Sequence, residues 1–276
     1  MKYLNIATYK FIEIKQKDLA QIKLKFYEVG QELQLKGTIL LSEEGINLFL
    51  AGLDDQINSF KQFLQTISQF KDLTFRVSWS EKIPFSRLVV RIKPEIITMG
   101  KSEIKPFEKP AAYITPKLLK QWLDEGKKIT LLDTRNQYEY QFGTFKNALQ
   151  LNIKYFRQFP QAVSTLPQQL KLEPVVTFCT GGIRCEKAAS FLESQGYQEV
   201  YQLQGGILNY FAECGGAHYQ GECFMFDNRI SVDSQLQETA MTHCKACQEP
   251  ISLEQVAFQS QGEATCNQCD GAIRQK

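Results

Sequence analysis

The sequence predicts a multidomain chain of mixed class, α+β at its start and α/β in its middle, with a small stapled module at its end. Three observations predict it. The 276 residues exceed the roughly 150 of an average domain. The apolar pattern first runs strand, helix, strand, strand, helix, strand, and from about residue 106 to 215 it alternates strand with helix. The tail from about residue 222 is polar and has no periodic core pattern, yet it holds four of the eight cysteines in its last 33 residues.

Composition narrows the function classes. With 43% hydrophobic and 22% charged residues, the chain is unlike a disordered one and can bury large cores. Lys plus Arg number 32 against 30 Asp plus Glu, a net charge of +2. Such a balance gives no whole-protein field toward DNA or a membrane, so any polyanion site is local. No apolar run approaches the ~18 residues of a membrane span, and MKYLNIATYK lacks the apolar stretch and cleavage site of a secretory signal. A cytoplasmic location is expected, where cysteines serve catalysis or metal binding more often than disulfides.

In chain order, residues 3 to 14 are rich in β-branched and aromatic residues and read as a strand. Residues 18 to 35 repeat Leu19, Ile22, Phe26, Val29 and Leu33 at helical spacing. Two apolar runs in 37 to 52 flank Ser42-Glu43-Glu44-Gly45, a hairpin signal. Asp54 or Asp55 caps a second helix with Ile57, Phe60, Phe63, Leu64 and Ile67 on one face. LTFRVSW (73 to 79) is the fourth strand. The order βαββαβ is that of a ferredoxin-like sandwich.

In the stretch 84 to 93, Arg87, Arg91 and Lys93 share one parity and Leu88, Val90 and Ile92 the other. On a strand the three cations face one way. They form either a solvated face or a phosphate-contacting strip. Nearby Trp79, Phe85 and Phe107 are either core residues or base-stacking ones.

In the middle segment, TPKLLKQWLDEG (115 to 126) reads as a helix, KITLLDTR (128 to 135) as a strand ending in polar residues, and PVVTFC (174 to 179) as a second strand. EKAASFLESQG (186 to 196) is a helix stopped at Gly196, and YQEVYQLQGGI (197 to 207) a short strand and turn. Strands alternating with helices argue for a parallel sheet, with ligands at the carboxyl ends of its strands, where Asp133 and Cys179 fall.

Cys179-Thr180-Gly181-Gly182-Ile183-Arg184-Cys185 lies between a strand and a helix. Backbone N–H groups and the positive helix end can converge there on the cysteine sulfur, lowering its pKa. The two glycines let the loop curl, and Arg184 supplies a positive charge. Cysteine phosphatases space the same residues as Cys-x5-Arg, whereas this chain has Cys-x4-Arg, a cradle too short for a tetrahedral phosphate. Cys185 is either a resolving partner for Cys179 or a packed, inert residue. Cys214 is expected to be structural.

In the tail, Cys244-x2-Cys247 and Cys266-x2-Cys269 are separated by 18 residues, the spacing of a four-cysteine zinc site, the alternative being a redox dithiol. Four thiolates leave no open position, so such a zinc is structural. His243 abuts the first pair. With His218 it is one of only two histidines, poor support for a two-His-one-carboxylate iron centre, and no Gly-x-Gly-x-x-Gly fingerprint announces a flavin or nicotinamide.

Residues 106 to 215 resemble a rhodanese domain, both in the six-residue loop from Cys179 to Arg184 and in LLDTRNQYEYQFGTFKNALQLNI (131 to 153). The resemblance implies that Asp133 and Arg135 brace the active-site loop and that Gly143 to Ala148 form a turn. It extends to nearly the whole chain. KGTILLSEEGINLFLAG (36 to 52), VVRIKPEIITMG (89 to 100), CTGGIRCEKAA (179 to 189) and GECFMFDNRI (221 to 230) occur in one order. Together they resemble the bacterial rhodanese-containing tRNA uridine hydroxylases. That resemblance implies an oxygen-dependent enzyme forming 5-hydroxyuridine at the tRNA wobble position, with molecular oxygen as co-substrate and the tRNA anticodon stem-loop as partner. It puts the catalytic cysteine at Cys179 and gives the strip of Arg87, Arg91 and Lys93 a purpose, but it leaves Cys223 without a derived role. The division expected is 1–95 ferredoxin-like with a candidate tRNA contact, 96–110 linker, 111–216 rhodanese-like and catalytic, and 217–276 an extension with the cysteine site. One rival reading is a persulfide sulfurtransferase using the same Cys179 loop, and a second is a noncatalytic zinc and RNA-binding adaptor.

Overall fold

The computed structural model describes residues 2–226 and 230–239 and, beyond them, 241–244, 246–247, 250–252, 257–258, 264–266 and 269. The chain forms two compact units, Met1–Lys109 and Pro110–Lys276.

The first unit begins with β1 (Tyr3–Phe11), α1 (Gln16–Glu32), β2 (Lys36–Ser42), β3 (Gly45–Gly52), α2 (Asp54–Gln65) and β4 (Arg76–Ser80). The expected βαββαβ order holds, and β5 (Leu88–Ile92) adds a fifth strand, giving the sheet order β4-β1-β3-β2-β5. Strand β5 runs parallel to β2, and the other pairings are antiparallel. One face of the sheet is hydrophobic because Leu4 and Ile6, Ile39 and Leu41, and Leu48 and Leu50 take alternate positions of β1, β2 and β3. Leu19 and Phe26 of α1 and Ile57 and Phe60 of α2 seal it. Each such buried side chain contributes about 1.5–3 kcal/mol. Strand β4 starts three residues later than its apolar pattern suggests, because Leu73 and Phe75 pack against this core. After β5 the chain stays folded. The Glu44 carboxylate accepts from Ile96 N at 2.7 Å, that of Glu95 accepts from Met99 N and Gly100 N at 2.9 Å each, and Ile96 and Met99 are buried.

The second unit contains β6 (Ala112–Ile114), α3 (Pro116–Asp124), β7 (Thr130–Asp133), α4 (Gln137–Tyr140), β8 (Gly143–Phe145), β9 (Leu149–Gln150), α5 (Phe159–Ser164), β10 (Val175–Phe178), α6 (Ile183–Ser194), β11 (Val200–Leu203) and α7 (Gly206–Cys214). Strands β6-β11-β10-β7-β9 form the expected parallel sheet. Its three inner strands, β11, β10 and β7, carry apolar residues on both faces, as a sheet covered by helices requires. Leu131, Val176, Phe178 and Leu203 pack with Leu119, Ile207 and Tyr210 from the helices.

Three helix starts differ from expectation. Helix α2 is capped at Leu53, whose N–H donates to Gln56 Oε1 at 2.8 Å, so Asp54 and Asp55 lie in its first turn. Helix α6 begins at Ile183 rather than Glu186, so Arg184 and Cys185 lie in its first turn. The turn is made by Gly182, whose φ of 96° suits glycine and whose carbonyl accepts from Cys185 N at 3.0 Å. The expected turn at Gly205-Gly206 opens the further helix α7.

The tail is woven into this unit. Strand β12 (Tyr219–Gly221) pairs with β8, and β13 (Cys223–Phe224) pairs with β14 (Ser231–Val232). Tyr219, Cys223 and Val232 join the core. Beyond them β15 (Met241–His243) pairs with β16 (Pro250–Ser252), and β17 (Ala257–Phe258) with β18 (Ala264–Thr265).

Candidate active site

Cys179 directly follows β10, at the carboxyl end of the parallel sheet, and the loop Thr180–Ile183 curls over it into α6. Gly182 N–H donates to Cys179 Sγ at 3.0 Å. The carbonyl of the same glycine accepts from Cys185 N at 3.0 Å, and Thr134 Oγ1 lies 3.8 Å from Cys185 Sγ. Burial by itself would push the Cys179 thiol up. The neighbouring Cys185 thiol, the Arg184 guanidinium and the N–H groups of Arg184 and Gly182 outweigh burial and hold it well below the ordinary thiol range. Burial and the neighbouring Cys179 push the Cys185 thiol well above that range. The directions make Cys179 the thiolate of the two and leave Cys185 a protonated thiol.

Arg184 is not a free cation. Its Nη1 and Nη2 donate to Glu139 Oε2 and Oε1 at 2.5 and 2.7 Å, with both side chains buried. Sequence reasoning missed Glu139. The available signal was Asn136-x-x-Glu139, a capping pattern. Glu139 Oε2 does accept from Asn136 N at 3.0 Å while also holding the arginine. The guanidinium carbon lies 5.6 Å from the ring centre of Phe226, which is 53% exposed.

The loop is braced on two sides. Helix α7 begins against it, with Ile207 N and Leu208 N donating to the carbonyls of Cys179 and Thr180 at 2.9 and 3.2 Å. Gly206 has φ +65°, and a Cβ there would lie 2.4 Å from the Cys179 carbonyl oxygen, so only glycine fits. On the other side, Thr134 N and Oγ1 both donate to the Phe178 carbonyl at 3.0 Å, tying β7 to the residue before Cys179.

Asp133 and Arg135 lock that edge. Arg135 Nε and Nη2 donate to Asp133 Oδ1 and Oδ2 at 2.9 and 2.7 Å, and Nη2 also reaches the Gly143 carbonyl at 2.7 Å. Asp133 Oδ2 accepts from Thr144 Oγ1 at 2.8 Å, and Tyr219 OH donates to the Gly143 carbonyl at 2.8 Å. Asp133 and Arg135 are wholly buried, as is Cys223 beside them. Burial pushes the Cys223 thiol up to about 12, so it stays protonated. The next residue, Phe224, accepts from Thr180 Oγ1 at 3.4 Å and meets the ring of Tyr138 at 5.2 Å. Residues 223–226 of the GECFMFDNRI motif therefore pack a core thiol and two aromatics against the cysteine loop. Cys179 itself is 0% exposed, so a reacting partner reaches Sγ only when a covering group moves.

The remaining sequence candidates fall into two groups. Arg87, Arg91 and Lys93 are exposed along β5 and its flanks, with Arg91 opposite Leu40 of β2 in the first unit. Cys244, Cys247, Cys266 and Cys269 bring their sulfurs within 4.8 Å of one another. Cys247 and Cys266 Sγ are 3.8 Å apart, near the ~3.8 Å edge of a tetrahedron with ~2.3 Å zinc–sulfur bonds. Cys266 N–H donates to Cys244 Sγ at 3.3 Å, the kind of contact that steadies a bound thiolate. His218 pairs with Asp124 at 2.7 Å, and the side chain of His243 lies outside the described residues.

A ferredoxin-like unit followed by a parallel sheet carrying a strand–cysteine loop–helix defines a rhodanese-domain enzyme with an added amino-terminal domain. Residues 3–96 match the UPF0176 acylphosphatase like domain and residues 115–213 the Rhodanese-like domain. The chain is 44% identical to the tRNA uridine(34) hydroxylase of Cupriavidus taiwanensis over 260 residues, 92% of each chain. It is 41% identical to that of Paraburkholderia phytofirmans over 280 residues, covering 98% of this chain and 96% of the relative. With that of Bordetella parapertussis the identity is 45% over 233 residues, covering 84% and 97%. The chain belongs to the tRNA uridine(34) hydroxylase family.

Proposed function

We propose that this protein hydroxylates C5 of the uridine at position 34 of tRNA, using dioxygen, with Cys179 as nucleophile. The observation that carries the reading is near-full-length identity to tRNA uridine(34) hydroxylases in a chain whose rhodanese-loop cysteine is set up as a thiolate. Addition of the thiolate to C6 of uracil makes C5 carbanionic, and C5 then attacks dioxygen. The loop N–H groups and the Glu139-anchored Arg184 fix the charge around the sulfur.

In this reading residues 1–95 contact the anticodon stem-loop through Arg87, Arg91 and Lys93. Residues 96–110 connect to the catalytic domain 111–216, and 217–276 carry the metal. No described helix is long and apolar enough to cross a membrane, and a tRNA substrate puts the protein in the cytoplasm. The test is mass spectrometry of nucleosides from bulk tRNA of a deletion strain, with and without the restored gene. The 5-hydroxyuridine set should vanish and return. An unchanged hydroxylated set together with a fall in 2-thiouridine would make the protein a sulfurtransferase instead.

Cys244, Cys247, Cys266 and Cys269 would hold one structural zinc, whose chemistry is to crosslink short hairpins that cannot bury a core. Elemental analysis of purified protein is expected to give one zinc per chain, lost in Cys247→Ser. A metal-free wild type that melts like the metal-loaded one would refute this assignment.

A further inference from the structure

We infer that Cys185 is the resolving cysteine of the reaction, closing a disulfide with Cys179 in each turnover and so supplying the electrons that hydroxylation consumes. The inference rests on the hydroxylase reading. Inserting one atom of dioxygen into a C–H bond leaves the other to be reduced to water, which takes two electrons beyond those of the C–H bond. A dithiol supplies that number when it becomes a disulfide.

The geometry points to this pair. Cys185 lies in the first turn of α6, its amide bonded to the Gly182 carbonyl at 3.0 Å, so the loop closes the two cysteines onto each other. Both are wholly buried, and the N–H of the same Gly182 donates to Cys179 Sγ at 3.0 Å, so one residue links the two cysteines. Thr134 Oγ1, 3.8 Å from Cys185 Sγ, helps fix the second thiol. Cys223, a further buried thiol of this unit, has its Sγ 3.7 Å from the Phe224 carbonyl.

The steps balance. C5 of the Cys179 adduct bonds dioxygen and becomes a hydroperoxide. Loss of the C5 proton restores the C5–C6 double bond and expels Cys179. The freed thiolate attacks the distal peroxide oxygen; the O–O bond breaks, its electron pair leaves on the C5 oxygen, which takes a proton, and Cys179 becomes a sulfenic acid. With the thiolate gone, the charge that kept Cys185 protonated is gone too. Cys185 sulfur then attacks Cys179 sulfur, the S–S bond forms, and hydroxide leaves with the Cys185 proton as water. An exogenous dithiol resets the enzyme.

The test uses full-length reduced protein, freed of small thiols, mixed in air with an anticodon stem-loop RNA and quenched with an alkylating agent. One equivalent of 5-hydroxyuridine is expected, together with a Cys179–Cys185 disulfide in the peptide map that forms only with both RNA and dioxygen present. Cys185→Ala is expected to leave Cys179 reactive toward dimedone and to lose at least tenfold in sustained turnover. Product formed while both thiols still alkylate, or a Cys179–Cys223 disulfide instead, overturns the inference and leaves the hydroxylase reading standing. Absence of product from wild type overturns both.

Discussion

Cys179→Ser abolishes hydroxylation while the fold persists: the expected loss exceeds about a thousandfold, because a serine hydroxyl is not ionised near neutral pH and cannot add to C6. The serine oxygen is smaller than sulfur but can still accept from Gly182 N–H, which donates at 3.0 Å in the wild type, so circular dichroism and melting should be little changed. RNA carrying 5-fluorouridine should form a covalent adduct with wild type and none with the variant. The pH profile supplies the sign. A thiol whose pKa is depressed stays ionised as pH falls, and protonates only at its own lower value. The Cys179 thiol is held well below its ordinary range, so single-turnover rates should stay level as pH falls through about 8.5, the value of a free cysteine. A rate that declines with an apparent pKa near 8.5 would mean that the loop does not activate this sulfur. Undiminished hydroxylation by Cys179→Ser would remove it from the chemistry altogether.

Much of this site was legible in the sequence because its parts are local. A strand, two glycines and a helix start within ten residues of Cys179, and apolar periodicity placed both flanking elements. What escaped was set by contacts between distant segments. Glu139 reads as a capping residue, and only the fold brings it to Arg184 across 45 positions. Gly206 reads as a turn, and its role as a seat for the Cys179 carbonyl depends on α7 packing against the loop. Helix α6 was expected to begin too late, because Ile183, Arg184 and Cys185 carry no cap signal. The turn is made by Gly182 in a left-handed conformation, a property of the backbone that residue type only permits. Cys185 illustrates the same limit. Its sequence position fits an inert helix residue or a partner of Cys179, and the bonds that both cysteines make to Gly182 favour the partner.

Asp133→Ala has the largest expected effect on stability. Arg135 is wholly buried, and burial opposes its charge, but Asp133 beside it keeps the guanidinium ionised. Removing the carboxylate strands a buried cation, a change that costs about 3–5 kcal/mol, a large share of the ~5–15 kcal/mol that holds a domain folded. It also frees Thr144 Oγ1 and unlocks the edge that ties β7 to Phe178. Trp122 packs against the core of this unit, so its fluorescence in a Trp79→Phe background follows urea unfolding of the second unit alone. The midpoint should fall sharply in Asp133→Ala. Pairing it with Arg135→Met should recover much of the loss, since the penalty comes from the unpaired charge rather than from the missing carboxylate. Equal midpoints for the single and double variants would show instead that the carboxylate's bonds to Thr144 and the backbone, and not the ion pair, hold the base of the Cys179 loop.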